Sequence, residues 1–291
     1  TRYFAEAAND KAVAMALEEA LKEFNKNSVD ATTKSLIIDY KKCNNCTYCA
    51  QICNKRVFGF SKLGDRIFLQ TSTGEKLNNT NCNKCGQCAV FCPTGAISVR
   101  NDVMNVKNRL AEKDYKKSVI FFDSSVVSAL KDIIGKEYKA ENIVSMLHEI
   151  GFDYVFNGDF GEDLFIIEES EEMQKAKDNK KLLVSSHCPA FVEHYTRKNP
   201  KEVVSTVKIP INCLTSVIRH EIEGAFVVSV SCCSAAKEVN ESDIHLTTKE
   251  FAELIKEKKD TKKEAPFDEP FAEASGAAAI CGTSGGVTEA V

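Results

Sequence analysis

The sequence predicts a two-part molecule: a small cysteine-rich α+β module over residues 37–101, followed by an α/β body with a mainly parallel sheet over 102–291. Residues 1–36 precede them as an N-terminal helix and linker. Three observations predict this arrangement. Eight of the 13 cysteines fall into two evenly spaced quartets between Cys43 and Cys92. After Asn101 the texture changes to short apolar runs alternating with amphipathic stretches, the pattern of strand–helix–strand units. A length of 291 residues suffices for two domains and one sizeable core.

Residues 4–24 carry Phe4, Ala8, Val13, Leu17, Leu21 and Phe24 at roughly helical spacing and predict a helix packed on a neighbour. Residues 25–34 read as a polar loop, and Ser35–Asp39 as a strand entering the first quartet. Ala96–Arg100 reads as the strand leaving the second. In the body, Ser118–Phe122, Tyr154–Phe156, Leu182–Ser185 and Ala225–Val230 read as strands. Helices are expected at Val126–Ile134, at Asn142–Ile150 with Gly151 as its stop, and at Lys249–Lys256. Thr247 and Glu250 form a capping box for the last of these. The charge run Lys256–Lys263 reads as a solvated loop.

The net charge of −4 offers no field that would recruit nucleic acid or an anionic membrane. The longest mainly apolar stretch, Ala225–Ala236, is too short to span a bilayer. The acidic, unpatterned start does not resemble an export signal, so the expected location is the cytoplasm. An odd cysteine count in a chain this long argues for metal ligation over a disulfide framework.

The quartets are Cys43-x2-Cys46-x2-Cys49-x3-Cys53 and Cys82-x2-Cys85-x2-Cys88-x3-Cys92-Pro93. Two-residue spacings let one loop aim three thiolates at a cubane, while the fourth turns away to the other cluster. Cys43, Cys46, Cys49 and Cys92 are therefore expected to hold one 4Fe–4S cluster, and Cys82, Cys85, Cys88 and Cys53 the second, as in two-cluster ferredoxins. Zinc knuckles, the alternative, use longer internal separations.

From about residue 37 to the last residue the chain resembles, in order, the iron-only (FeFe) hydrogenase family. The run NCNKCGQCAVFCPTGAISVRNDVMNVKNRL is similar to the family's junction between ferredoxin module and catalytic domain, and GFDYVFNGDFGEDLFIIEESEE to the segment ahead of its active-site loop. SSHCPAF (185–191) resembles the first signature, Thr-Ser-Cys-Cys-Pro-Gly/Ala-Trp. VSCCSAAK (230–237) resembles the second, Met-Pro-Cys-x-x-Lys-Lys. LTTKEFAELIK and ASGAAAICGTSGGVTEA are similar to the family's segments downstream of that second signature. The resemblance implies an α/β catalytic domain of two lobes that clamp an H-cluster, a 4Fe–4S cubane joined through a cysteine to a diiron unit bearing carbonyl and cyanide. It implies that Cys188 and Cys233 are the first two of four cubane ligands, and that Glu169, Glu172 and Ser205 are relay residues for protons. Cys232, Ser231, Lys237 and Cys281 fall at positions lining the cofactor.

Departures from the family concentrate around the diiron unit. The proton-donating cysteine is His187, an imidazole able to pass protons near neutrality. The methionine and proline of the second signature are Ser231 and Cys232, and its first lysine, which holds a cyanide ligand, is Ala236. Lys237, one position on, projects elsewhere unless the loop shifts. Phe191 replaces the tryptophan, Cys281 a phenylalanine and Thr288 a methionine, while Ser124 and Ser125 stand where the family has Ala-Pro. Cys213, on an apolar helix, is expected in the core. The third signature, with the last two cubane ligands, lies beyond Val291, so the chain reads as part of a longer polypeptide.

The preferred expectation is a divergent, low-turnover FeFe hydrogenase of the hydrogen-sensing kind, wired through two 4Fe–4S clusters. A fully catalytic ferredoxin hydrogenase is one alternative. A non-catalytic iron–sulfur electron carrier, or a relative of the cluster-assembly factors, is the other. Expected partners are hydrogen and protons and a ferredoxin or other redox protein, with a signalling partner and a homodimer left open, and no nucleic acid or membrane.

Overall fold

In the first cysteine-rich stretch, Leu36 and Ile38 are both fully buried, which suits a strand packed on one face. The computed structural model describes residues 28–63, 66–199, 201–258 and 263–291, so the expected helix at 4–24 lies outside the described residues. These residues divide into two units, the first running to Cys82 with Gly86–Arg100, the second comprising Asn83–Cys85 and Asn101–Val291.

In the first unit β1 (Val29–Asp30), β2 (Leu36–Asp39), β3 (Phe58–Leu63), β4 (Arg66–Thr71) and β5 (Ile97–Val99) surround two short helices, α1 (Tyr48–Ile52) and α2 (Gln87–Val90). β2 pairs antiparallel with β1 and β5, with Leu36 opposite Val99. β3 and β4 form a separate hairpin. Two expectations change here. Val29–Asp30 is a strand inside the expected polar loop, because Asp30 anchors it by accepting from the backbone of Thr32 and Leu77. The β3–β4 hairpin had no clean two-residue alternation to announce it; its Phe58 and Leu69 join the core around Cys49, Cys82 and Cys88.

The second unit is a four-stranded parallel sheet in the order β7-β6-β8-β9, made of β6 (Lys117–Phe122), β7 (Tyr154–Asn157), β8 (Ala225–Ser231) and β9 (Ile244–Thr247). β6 and β8 are buried along almost their whole length, as central strands covered on both faces must be. Among the described residues ten helices accompany the sheet: α3 (Val103–Glu112), α4 (Ser124–Ile134), α5 (Ala140–Ile150), α6 (Asp159–Asp178), α7 (Pro189–Thr196), α8 (Pro210–Glu221), α9 (Ala236–Val239), α10 (Thr248–Ile255), α11 (Gly276–Ile280) and α12 (Gly286–Ala290). One face of the sheet packs Ile120, Phe122 and Val228 with α3, α4, α5 and α10; the other packs Val119, Phe121 and Val227 with α8. α5 ends at Gly151 with φ +122°, and α10 opens on the expected Thr247–Glu250 box, Glu250 accepting from Thr247 N at 2.9 Å. Leu182–Ser185 is not a strand. It makes one parallel bridge, Val184 to Val204, and Leu182 is 70% exposed, so no sheet face buries it.

Among the described residues no helix is long and apolar enough to cross a membrane.

Candidate functional site

From β6 the chain moves outward to β7 and later returns to the other side of β6 as β8. A parallel sheet that reverses its winding opens a crevice at the carboxyl ends of those strands, where α/β proteins bind ligands. A cavity of about 110 Å³ lies there, among Asp123–Ser125 after β6, Asp159 and Glu162 on α6, and Ser231–Cys233 at the end of β8. His187, Ala236 and Cys281 also line it, with Pro210 and Ile211 at the start of α8 among its apolar contacts.

Three carboxylates line it, and the two serine hydroxyls beside them are engaged. Asp123 caps α4, accepting from Val126 N at 3.0 Å and from Ser125 Oγ at 2.5 Å. Asp159 Oδ1 accepts from Ser124 N at 3.0 Å and Ser124 Oγ at 3.2 Å. Both serines, which stand where the family has Ala-Pro, are thus turned toward carboxylates. Desolvation pushes Asp123 up to about 6, Glu162 and Asp159 adding to it against the two hydrogen bonds. Burial and the Glu162 charge push Cys281 up to about 12. Among the described residues no Lys or Arg lines the cavity.

His187 Nε2 lies 3.2 Å from Glu162 Oε2, and its ring stands edge-on to Phe165 at 5.2 Å. Farther along α6 the three expected relay residues do meet. The Ser205 hydroxyl lies 2.5 Å from Glu169 Oε2 and 2.6 Å from Glu172 Oε2, with Thr206 N donating to Glu172 at 3.0 Å. Glu169 is fully buried, and its Oε1 has no partner among the described residues. None of the three lines the cavity, and the histidine that replaces the donor cysteine pairs with Glu162 instead.

Cys188 is the N-cap of α7, with Pro189 at the first helical position, and is exposed. Cys233 is close enough for charge on Cys188 to raise its pKa, after the larger effect of burial. Cys232, Cys281 and Ser231 line the cavity. Lys237 does not. Its Nζ lies 2.7 Å from Asp102 Oδ2 and 2.8 Å from Glu250 Oε1, and the side chain is 2% exposed. The buried Glu250 and the partly buried Asp102 hold the ammonium there, so the expected contact with the cofactor is corrected accordingly. Cys213 is buried with Phe165 and Ile166, its thiol donating to Lys208 O at 3.2 Å.

In the first unit Cys43, Cys46, Cys49 and Cys92 surround one small cavity walled by Phe60 and Leu69. Burial, reinforced by the charges of the other three, pushes Cys49 up to about 11, a cost that thiolate–iron bonding offsets. Burial raises Cys92 as well, but Ile97 N at 3.4 Å and Thr94 more than offset it and leave it low. Cys82 and Cys88 are buried in the same core with Cys53 against it. Cys85 belongs to the second unit, where Asn83 donates to Ala190 O at 3.2 Å and Lys84 Nζ pairs with Glu193 at 2.7 Å. Among the described residues no three acidic, His or Cys side chains converge on one point as a single ion requires. Thiols spread around a cavity suit a cubane, whose corners stand apart.

A family described as "Iron only hydrogenase large subunit, C-terminal domain" matches residues 116–291, and one described as "4Fe-4S dicluster domain" matches 42–97. The chain belongs to the iron-only hydrogenase family. Similar proteins include the NADP-reducing hydrogenase subunit HndD of Solidesulfovibrio fructosivorans, 32% identical over 88% of this chain and 50% of its own length. Iron hydrogenase 1 of Clostridium pasteurianum is 27% identical over 90% of this chain and 51% of its own. The chain therefore spans about half the length of the curated relatives it matches. Among solved structures, one from a study of oxygen inactivation of FeFe hydrogenase superposes with a TM-score of 0.52 at 24% identity, covering 65% of this chain and 57% of that one. A variant of apo FeFe hydrogenase HydA1 from Chlamydomonas reinhardtii gives 0.51 at 23% identity, covering 65% and 56%. These likenesses support the fold: a dicluster iron–sulfur module followed by an FeFe hydrogenase domain.

The family's cofactors are 4Fe–4S clusters and, where the site is complete, the H-cluster. The first quartet, gathered round one cavity, fits a cubane. The cavity beside Cys233 fits an anionic diiron unit poorly, since no Lys or Arg among the described residues faces it, three carboxylates do, and the Ser124 and Ser125 hydroxyls are already given away. Sequence reasoning missed Asp123, Asp159, Glu162 and the buried His245. The available signals were an acid directly after one apolar strand and another two positions after a second, a glutamate seven positions ahead of Glu169, and a lone histidine in the strand IHLT.

Proposed function

We propose that this chain is the electron-relaying part of a divergent FeFe hydrogenase with low turnover, serving hydrogen sensing in preference to bulk hydrogen metabolism. One observation carries the reading: the cation expected to face the cofactor is withdrawn, Ala236 lining the cavity while Lys237 is locked between Asp102 and Glu250. Two supports accompany it. The iron–sulfur side is complete in its thiols, and the loop of Cys85 is tied to α7, the helix that Cys188 caps. The proton side is altered, because His187 is engaged by Glu162 and separated from the Glu169–Ser205–Glu172 network. Electrons would come from a ferredoxin or a comparable redox protein, hydrogen and protons would be the substrates, and a signalling partner or a second copy would receive the output. The cytoplasm is the proposed location. A non-catalytic electron carrier is the second reading, favoured by the carboxylates on the cavity wall.

The test uses the full-length protein after maturation. Weak cyanide and carbonyl infrared bands, from the partial loading that a poorly fitting cavity permits, with hydrogen oxidation far below that of catalytic relatives are expected. Absence of those bands would establish the carrier; turnover equal to ordinary hydrogenases would remove the sensory reading. His187→Cys is expected to raise activity where the proton donor limits it.

A further inference from the structure

The iron–sulfur module is basic in an acidic chain. Residues 28–100 hold ten Lys and Arg against four Asp and Glu, whereas the whole chain is −4. Two of those four acids are engaged locally: Asp30 accepts from the backbone of Thr32 and Leu77, and Asp39 lies 3.5 Å from Lys42 Nζ.

Three of those cations stand with two apolar side chains at the rim of the cavity that Cys43, Cys46, Cys49 and Cys92 surround. Phe60 and Leu69, directly opposite each other on β3 and β4, wall that cavity. Alternate residues of a strand share a face, so the opposed pair Lys62 and Ile67 continues the same face outward. Both are exposed, Ile67 by 49%. Asn45 Nδ2 donates to Ile67 O at 2.9 Å, which holds the loop between Cys43 and Cys46 against that strand. Lys41 and Lys42 are exposed on the turn directly before Cys43, and Tyr48, 52% exposed, opens α1 between Cys46 and Cys49. Cys43 and Cys46 are partly exposed while Cys49 is buried, so the thiol set reaches solvent at this rim. Beside Cys85 the cation is unavailable, because Lys84 is buried and lies 2.7 Å from Glu193.

An exposed Tyr and Ile bordered by cations have the make-up of a small transient interface, with an apolar centre for contact and a charged rim for capture. The sign of the rim selects an anionic partner, and the thiol set beneath it selects one that carries electrons. We propose that this face docks a small acidic one-electron carrier protein. On docking, one electron leaves the carrier's reduced centre and reduces the cluster that Cys43, Cys46, Cys49 and Cys92 hold, with no bond made or broken. This rests on the reading of the chain as an electron relay.

The experiment follows reduction of the cluster-loaded full-length protein by stopped-flow absorbance. One reductant is a reduced plant-type 2Fe–2S ferredoxin, an acidic carrier, and the other is the methyl viologen radical, a small cation. Lys41→Gln, Lys42→Gln and Lys62→Gln together are expected to slow reduction by ferredoxin by about tenfold or more at an ionic strength of about 0.01 M, the gap closing toward about 1 M. Ile67→Ser should slow it severalfold at both. Lys175→Gln, Lys177→Gln and Lys181→Gln make the same charge change on exposed residues at and just beyond the end of α6, and should leave the ferredoxin rate within about twofold of wild type. A triple Lys41, Lys42 and Lys62 variant as fast as wild type at low salt, or equal slowing by the α6 variant, overturns the proposal. The viologen needs no docking face, so equal slowing of both reductants also overturns it. So does a salt-sensitive dimer of the chain that the triple variant dissolves while ferredoxin reduction is unchanged, which would assign the face to a second copy. Reduction of the wild type by viologen but not by ferredoxin overturns the docking face and leaves the relay standing. Reduction by neither shows that the relay reading has failed, and the proposal falls with it.

Discussion

Lys237 is a long cationic side chain in a core position, tolerable because Asp102 and Glu250 both reach its ammonium. Removing one partner of a buried pair leaves the others uncompensated, so Lys237→Met is expected to cost about 3–5 kcal/mol in denaturant unfolding. Adding Glu250→Gln should recover part of that loss, because contacting residues couple. Asp123 gives a pH signature. Its pKa in the fold, about 6, is above the ordinary 3.8, so the folded protein keeps a proton that the unfolded chain releases between those values. Stability from this group therefore falls as pH rises from about 4 to about 6 and stays low above. Asp123→Asn, which can still cap α4, should raise stability at pH 7 by on the order of 1–3 kcal/mol, with the gain shrinking toward pH 5 in thermal melts. At this scale the sequence was legible for residues that change type within a motif, such as His187 or Ala236. It was silent on Glu162 and His245, whose partners lie 25 and 14 positions away.

At the scale of elements, α6 and α8 cross where Gly161 allows backbone contact: a Cβ there would stand 2.7 Å from Pro210 O. Gly161→Ala must push the helices apart, and both carry cavity residues, so a cost of about 1–3 kcal/mol is expected, read as a lower denaturant midpoint with an unchanged slope. Elements with a strong local code were legible. The run SVIFF became a central strand because every side chain could be buried, and Thr247–Glu250 capped its helix because both bonds are local. Elements whose reason is non-local were not. Val29–Asp30 is held by a carboxylate that reaches Leu77, and Leu182–Ser185 pairs only through the single bridge Val184–Val204, too little to extend into a strand.

At the scale of the whole molecule, the two units divide the chemistry. One surrounds a cavity with four thiols, and the other opens a carboxylate-lined crevice at the sheet's reversal point. Cys49→Ala should lower iron by about four atoms per chain in the reconstituted full-length protein, whereas Cys213→Ala, a core thiol bonded to a carbonyl, should leave it unchanged. Metal and protein assays on the same samples provide the ratio.

The cysteine spacings, the strand–helix alternation and the order of motifs are linear properties, and they alone determined the family, the iron–sulfur module and the parallel α/β body. Local chemistry suffices for each: a tight loop needs its thiolates two residues apart, and a central strand needs an unbroken apolar run. Only the tertiary structure decided what the crevice contains. It turned Lys237 away, engaged His187 with Glu162 and gathered Asp123, Asp159 and Glu162 onto one wall. Those outcomes depend on which carboxylate a folded chain brings within about 3 Å of which donor, a distance that spacing along the sequence does not encode.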